Sequence, residues 1–81
     1  MEKTLTAGPP QTLMQAHEVL VRIRPVWDAS LPVWLEYYQR SAALYTEIAK
    51  VDPGHDGEAM YWAQRERRRA EELAARIRLQ R

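Results

Sequence analysis

The sequence predicts an all-α protein of three helices, arranged as an up-down-up bundle or as a helical hairpin with an appended first helix. Three observations predict this class: apolar residues recur at helical spacing in three stretches, Pro, Gly and Asp separate the stretches, and no stretch alternates as a strand does. We expect a flexible N-terminal lead-in over residues 1–10 and a single helical domain over residues 11–81.

The first helix is predicted over about residues 12–27. Thr12, followed three positions later by Gln15, matches a capping box. The apolar positions are spaced by three or four residues: Leu13, Ala16, Leu20, Ile23 and Trp27. Pro25 lies inside this pattern and lacks an amide hydrogen, so we expect the last turn to be kinked.

The second helix is predicted over about residues 31–51, with Ser30 as N-cap and Asp52, Pro53 and Gly54 ending it. Its apolar residues cover an arc of about 200°. They are Trp34, Tyr37, Tyr38, Leu44, Tyr45, Ile48 and Val51. One neighbouring helix cannot cover so wide a face, whereas two can, either both from this chain or one from a partner.

The third helix is predicted over about residues 57–80, with Asp56 as its N-cap. Its inward positions form a heptad-like stripe, here named the alanine seam: Ala59, Ala63, Glu66, Ala70, Leu73 and Ile77. Small side chains let a neighbouring helix come close. Glu66 occupies a position in the seam where a hydrophobic residue is expected.

Size and composition favour a protein that buries surface against a partner. The chain has 81 residues and no cysteine, so it is small and has no disulfide to stabilise it. Its net charge of +1 is too mild to indicate a polyanionic partner by itself. With no apolar run of secretory or membrane-spanning length, we expect a cytoplasmic protein that does not enter a membrane.

The aromatic residues indicate a contact surface. The chain has three Trp and four Tyr but no Phe, and Trp, Tyr and Arg are the residues enriched at interface hot spots. We expect an accessory or regulatory interaction module, a homodimer or one that docks another helical protein. The expected contact residues are Trp34, Tyr37, Tyr38, Leu44, Tyr45, Ile48 and Trp62.

Nucleic-acid binding is the alternative, since arginines on one side of the third helix resemble a phosphate-binding stripe. They are Arg65, Arg68, Arg69 and Arg76. Glutamates one helical turn away, as in the pairs Arg68 with Glu72 and Glu72 with Arg76, are expected to neutralise part of this stripe. That pattern favours a solvent-exposed flank of the helix over a surface that binds phosphate groups.

Two polar residues carry a third alternative, a small ligand bound between the helices. His17 lies at the border of the first helix's apolar face, and an antiparallel register brings it near Glu66. A buried Glu must be paired or protonated, so we expect a hydrogen bond to it from His or Tyr. No nucleophile or metal-ligand spacing accompanies this pair, so we expect no enzyme activity, no metal and no cofactor.

Overall fold

The computed structural model describes residues 8–80, and over that range it contains three α-helices and no strand. The helices are α1 (Leu13–Arg22), α2 (Leu31–Val51) and α3 (Asp56–Leu79), with a 3-10 turn at Pro53–His55 before α3. The predicted all-α class is confirmed. Residues 1–7 of the predicted lead-in lie outside the described residues. Within the described range, none of the helices has the length and apolarity needed to cross a membrane.

Helix α1 begins as predicted and ends earlier. The Thr12 hydroxyl accepts a hydrogen bond from the Gln15 amide at 3.1 Å, which caps the first turn. The helix stops at Arg22, so its predicted end at residue 27 is wrong. Pro25 disfavours helical backbone in the residue before it and cannot donate to the turn below, so the chain leaves the helix rather than kinking. Trp27, which fits the apolar spacing, is 88% exposed.

Helix α1 lies antiparallel to α2 and is tied to it at both ends. Near its start the Leu13 amide donates to Asp52 Oδ2 at 2.9 Å, and near its end the Leu20 carbonyl accepts from the Tyr37 hydroxyl at 2.9 Å. The first amides of a helix have no partner within it, so Asp52 caps α1 from 39 residues away. The Leu13 amide, and after it the His55 ring, holds the pKa of Asp52 below its ordinary value of 3.8.

We expect Asp52→Asn to lower the melting temperature at neutral pH, because a neutral amide oxygen is a weaker acceptor for the Leu13 amide than a carboxylate. The pKa of Asp52 is lower in the folded protein than its ordinary value, so the ionised carboxylate stabilises the fold at pH values above the ordinary pKa. This stabilisation is lost as the pH falls below the ordinary pKa and the carboxylate is protonated. The variant should therefore lose less stability than the wild type between about pH 4 and 2. Thermal unfolding followed by circular dichroism across that range checks both effects, with Asp28→Asn in the exposed connection as control.

Helices α2 and α3 form an antiparallel hairpin. Helix α2 has the predicted bounds, with Pro32 tolerated in its first turn, and α3 begins at Asp56, one residue earlier than predicted. Tyr38 contacts Arg69 and Tyr45 contacts Trp62. Positions later in α2 therefore lie beside positions earlier in α3, as in an antiparallel pair. By this register Ser41 lies at the level of Glu66.

The core lies where α1 and α3 cover α2. Every alanine of the seam is at most 6% exposed, and Ile48 is completely buried. The buried core residues are Leu13, Ala16, Leu20, Tyr37, Tyr38, Tyr45, Ile48, Ala59, Ala63 and Ala70. Two helices of the same chain thus cover the middle of the apolar face of α2, whereas Val51 at its end is 45% exposed and Trp34 is half-buried.

Candidate functional site

The residues expected to contact a partner mostly belong to the core. Tyr37, Tyr38, Tyr45 and Ile48 are between 0% and 8% exposed within one chain, so they do not form an open contact surface. Trp34, Leu44 and Trp62 are half-buried. The prediction of an exposed tyrosine face is corrected for this reason: residues of α1 bond to Tyr37 and Tyr45, and Arg69 of α3 lies over the Tyr38 ring.

His17 and Glu66 do not form the expected polar pair within the described residues. His17 Nδ1 lies 2.7 Å from the Tyr45 hydroxyl, and its ring meets the rings of Tyr45 and Trp62 edge to face. Glu66 is 6% exposed and accepts a hydrogen bond from Arg65 Nη1 at 2.9 Å. The two polar residues therefore have separate partners.

Tyr45 connects all three helices around His17. Burial, and after it the negative charge of Glu66, raises the pKa of Tyr45 to about 12. The phenol is therefore protonated at neutral pH and can donate its hydrogen to His17 Nδ1. This geometry makes His17 a structural link between α1 and the hairpin, and it offers no acid and base aimed at a common ligand.

The four arginines of the predicted stripe separate into different environments. Arg65 is bonded to Glu66, and its guanidinium lies over the Trp62 ring at 5.4 Å. Arg69 and Arg76 line a cavity beside α2, while Arg68 is exposed and lies outside that cavity. The arginines therefore do not act as one continuous stripe.

The expected ion pairs along α3 are not formed among the described residues. Arg68 and Glu72, like Glu72 and Arg76, are not within ion-pairing distance, and over residues 8–80 the only α3 salt bridge joins the neighbours Arg65 and Glu66. The pKa of Arg69 is raised mainly by its hydrogen bond to Tyr38 and by the charge interaction with that tyrosine. The negative charge of Glu72 contributes less to this increase. Arg69 and Arg76 thus have no carboxylate bound directly to them in the described part of the chain.

The clearest candidate site is an open cavity of about 500 Å³ that α1 leaves uncovered, between the start of α2, the second half of α3 and the connection from α1 to α2. We name it the arginine–aromatic groove. Its lining residues are Arg24, Pro25, Trp27, Leu31, Trp34, Tyr38, Arg69, Glu72, Leu73 and Arg76. Three arginines against one glutamate give the groove a positive character.

Aromatic rings hold two of the groove's arginines in place. The Arg24 guanidinium lies 5.1 Å from the centre of the Trp34 ring, and that of Arg69 lies 5.5 Å from the centre of the Tyr38 ring. Arg69 Nη2 also approaches the Tyr38 hydroxyl at 3.5 Å. Cation–π contacts stabilise the guanidinium groups over the rings and leave N–H donors for other partners.

Six of the groove residues were not among the site residues expected from the sequence: Arg24, Pro25, Trp27, Leu31, Glu72 and Leu73. Trp27 had been counted as an apolar position of the first helix, and it stands instead at the rim of the groove. The signal that marks this segment is Pro25, since an Arg and a Trp beside a helix-ending proline belong to a connection and face solvent.

The described residues contain no group of three or more His, Asp or Glu side chains placed to hold a metal ion. Comparison with protein-family models, with curated proteins and with solved structures finds no match for this chain. The functional proposal therefore starts from the groove itself.

Proposed function

We propose that this chain is a small, non-catalytic interaction module that binds a partner protein at the arginine–aromatic groove. The observation that carries the proposal is Trp27, which is 88% exposed at the rim of a cavity whose floor contains the half-buried Trp34. Exposed tryptophan beside a concave aromatic surface is costly in water and is typical of binding hot spots. The tyrosines of α2 then serve as the rigid support of the site.

Binding is favoured over catalysis by the chemistry of the groove lining. Its titratable side chains are three arginines, Tyr38 and Glu72, and it has no histidine, serine or threonine to act as a base or nucleophile. The guanidinium groups stay protonated at neutral pH and act as fixed hydrogen-bond donors. Such a lining recognises a ligand without transforming it, as an accessory or regulatory protein of the cytoplasm would.

The homodimer expected from the sequence stays a prediction, with a different contact surface. Since Tyr37, Tyr38 and Tyr45 are buried within one chain, association between two copies would use Trp27 and the open part of Trp34. Molar mass in solution, measured over a range of concentrations for the wild type and Trp27→Ala, distinguishes a dimer of this kind from a monomer.

Selection from a displayed library of random peptides tests the interaction module. We expect the folded full chain to enrich peptides whose affinity falls about tenfold or more in Trp27→Ala, because an exposed tryptophan covered by a ligand contributes hot-spot energy. Tyr61→Ala is the matched control, since Tyr61 is 61% exposed and lies outside the groove. Enriched peptides that bind Trp27→Ala and wild type equally would place the binding surface elsewhere.

Nucleic-acid binding is the second candidate, carried by Arg69 and Arg76 beside aromatic rings. It has less support, since Arg65 is bound to Glu66 and Arg68 lies outside the groove. If it holds, affinity for single strands falls steeply with salt, and the log–log slope shrinks by about one for each phosphate-contacting arginine removed.

A further inference from the structure

We infer that the partner segment received by the groove is acidic: an apolar side chain of the segment packs against Trp27 and Trp34, and carboxylates beside it bind Arg24, Arg69 and Arg76. This inference rests on the interaction function proposed above. It adds the chemistry of the partner, an acidic peptide segment with a central apolar residue, to the location of the site.

The positive charge of the groove makes it costly to cover. Arg24, Arg69 and Arg76 line the same cavity, and Glu72 is its single carboxylate. A partner that covers this cavity removes water from three guanidinium groups, and a desolvated charge is strongly destabilising unless it gains a partner of opposite sign. Glu72 can neutralise one of the three positive charges, so the incoming segment must supply at least two anionic groups.

The arginines of the groove also present hydrogen-bond donors to a ligand. Among the described residues no carboxylate forms an ion pair with Arg24, Arg69 or Arg76. Rings lie under Arg24 and Arg69, so these two groups are already held near the cavity before a ligand arrives. A planar carboxylate binds the edge of a fixed guanidinium through two parallel hydrogen bonds, and preorganisation lowers the entropic cost of forming them.

The N-terminal end of α2 lies at the groove. Leu31, the first residue of α2, lines the cavity, and the first turn of α2 carries no acidic side chain. The Ser30 side chain makes no capping hydrogen bond. The positive end of this helix therefore adds to the field of the three arginines, and it is favourable for a carboxylate bound nearby.

A peptide fits these observations better than a nucleic acid. The positive groups are concentrated in one cavity of about 500 Å³ instead of following a track along the molecule. Glu66, Glu71 and Glu72 interrupt the arginines of α3, and the whole chain carries only +1. A polyphosphate needs a long run of cations, whereas a short acidic segment needs the local charge that the groove provides.

Fluorescence anisotropy with four labelled probes tests the inference at about 50 mM salt, where surface charges are weakly screened. The first probe is a peptide with one central leucine and two glutamates on each side, flanked by glycine and serine. Its two matched forms carry glutamine or lysine in place of the glutamates, and the fourth probe is a short single-stranded oligothymidine. We expect the glutamate form to bind about tenfold or more tighter than the glutamine form, and its affinity to fall with added salt.

Charge-reversed variants locate the binding. Arg69→Glu and Arg76→Glu should each weaken the glutamate probe about tenfold or more, because each turns an attraction into a repulsion within the groove. Arg67→Glu is the matched control, since Arg67 is exposed on the same helix and does not line the groove. Arg24→Glu, in the connection outside any helix, provides an independent variant should a change in α3 disturb folding, which circular dichroism reports.

The outcomes separate the inference from the function on which it rests. Equal binding of the glutamate and glutamine probes, both weakened by Trp27→Ala, would overturn the acidic partner and leave the interaction module standing. Preference for the lysine probe, or failure of every peptide probe to bind, would also overturn the acidic partner, and the library selection would then decide the function. Binding of the oligothymidine alone would overturn both.

Discussion

Replacing Ile48 with Ala is expected to lower the free energy of unfolding by about 2–5 kcal/mol. Ile48 is 0% exposed and belongs to the core cluster that also contains Ala59 and Ala63, so the deleted atoms leave a cavity inside the core. Alanines cannot extend to fill that space. A domain of this length has a total stability of about 4–12 kcal/mol, so the loss is a large fraction of it.

Urea denaturation followed by circular dichroism measures this loss. The matched control is Ile23→Ala, the same change at a position that is 42% exposed just after α1. It should cost clearly less, because a half-exposed isoleucine leaves no closed cavity when it is shortened. Equal destabilisation by the two changes would mean that the contact between α2 and α3 is not the centre of the core.

Replacing Ala63 with Leu is expected to destabilise the protein by about 1–3 kcal/mol through overpacking. Ala63 is 0% exposed in the alanine seam, at the face where α3 lies against α2. A leucine there has no space to occupy unless the two helices move apart. Such a movement would also disturb the ring contact between Tyr45 and Trp62, one level along the hairpin.

Ala43→Leu is the control for this second change, since it adds the same atoms at an exposed position of α2. Leucine and alanine have similar helix propensities, so the control should shift stability by only a few tenths of a kcal/mol. Thermal and urea unfolding of both variants give the comparison. If Ala63→Leu proved as stable as the wild type, the close approach of α2 and α3 would not depend on small side chains.

Capping and helix-ending residues predicted the bounds of a helix well where several such residues stood close together in the sequence. Ser30 and Pro32 mark the start of α2, and Asp52, Pro53 and Gly54 mark its end, so both bounds are confirmed. Periodicity misled at the end of α1, because the spacing of Ile23 and Trp27 continued beyond the point where the backbone leaves the helix. The conformational restriction imposed by Pro25 outweighed the apolar pattern.

The candidate site was harder to predict, because it depends on which surfaces the helices leave uncovered. The spacing indicates how wide the apolar face of α2 is, but periodicity alone does not say that α1 covers Tyr37 and Tyr45 while α3 covers Tyr38. The groove joins Arg24, Trp34 and Arg76 from three separate parts of the chain. Likewise, a helical-wheel projection of α3 places Arg65 on the flank of the helix but does not reveal that its guanidinium donates to the neighbouring Glu66 carboxylate.

The carboxylate of Asp52 has a consequence for the order of folding. A helix of 10 residues such as α1 is unstable by itself, because nucleation costs more than so few internal bonds return. Its Leu13 amide finds an acceptor only at the residue that ends α2, and the His55 ring lies 3.1 Å from that acceptor. The local hairpin can close before this long-range bond forms. We therefore expect helix α1 to dock as a late step, onto a hairpin whose turn already holds its cap in place.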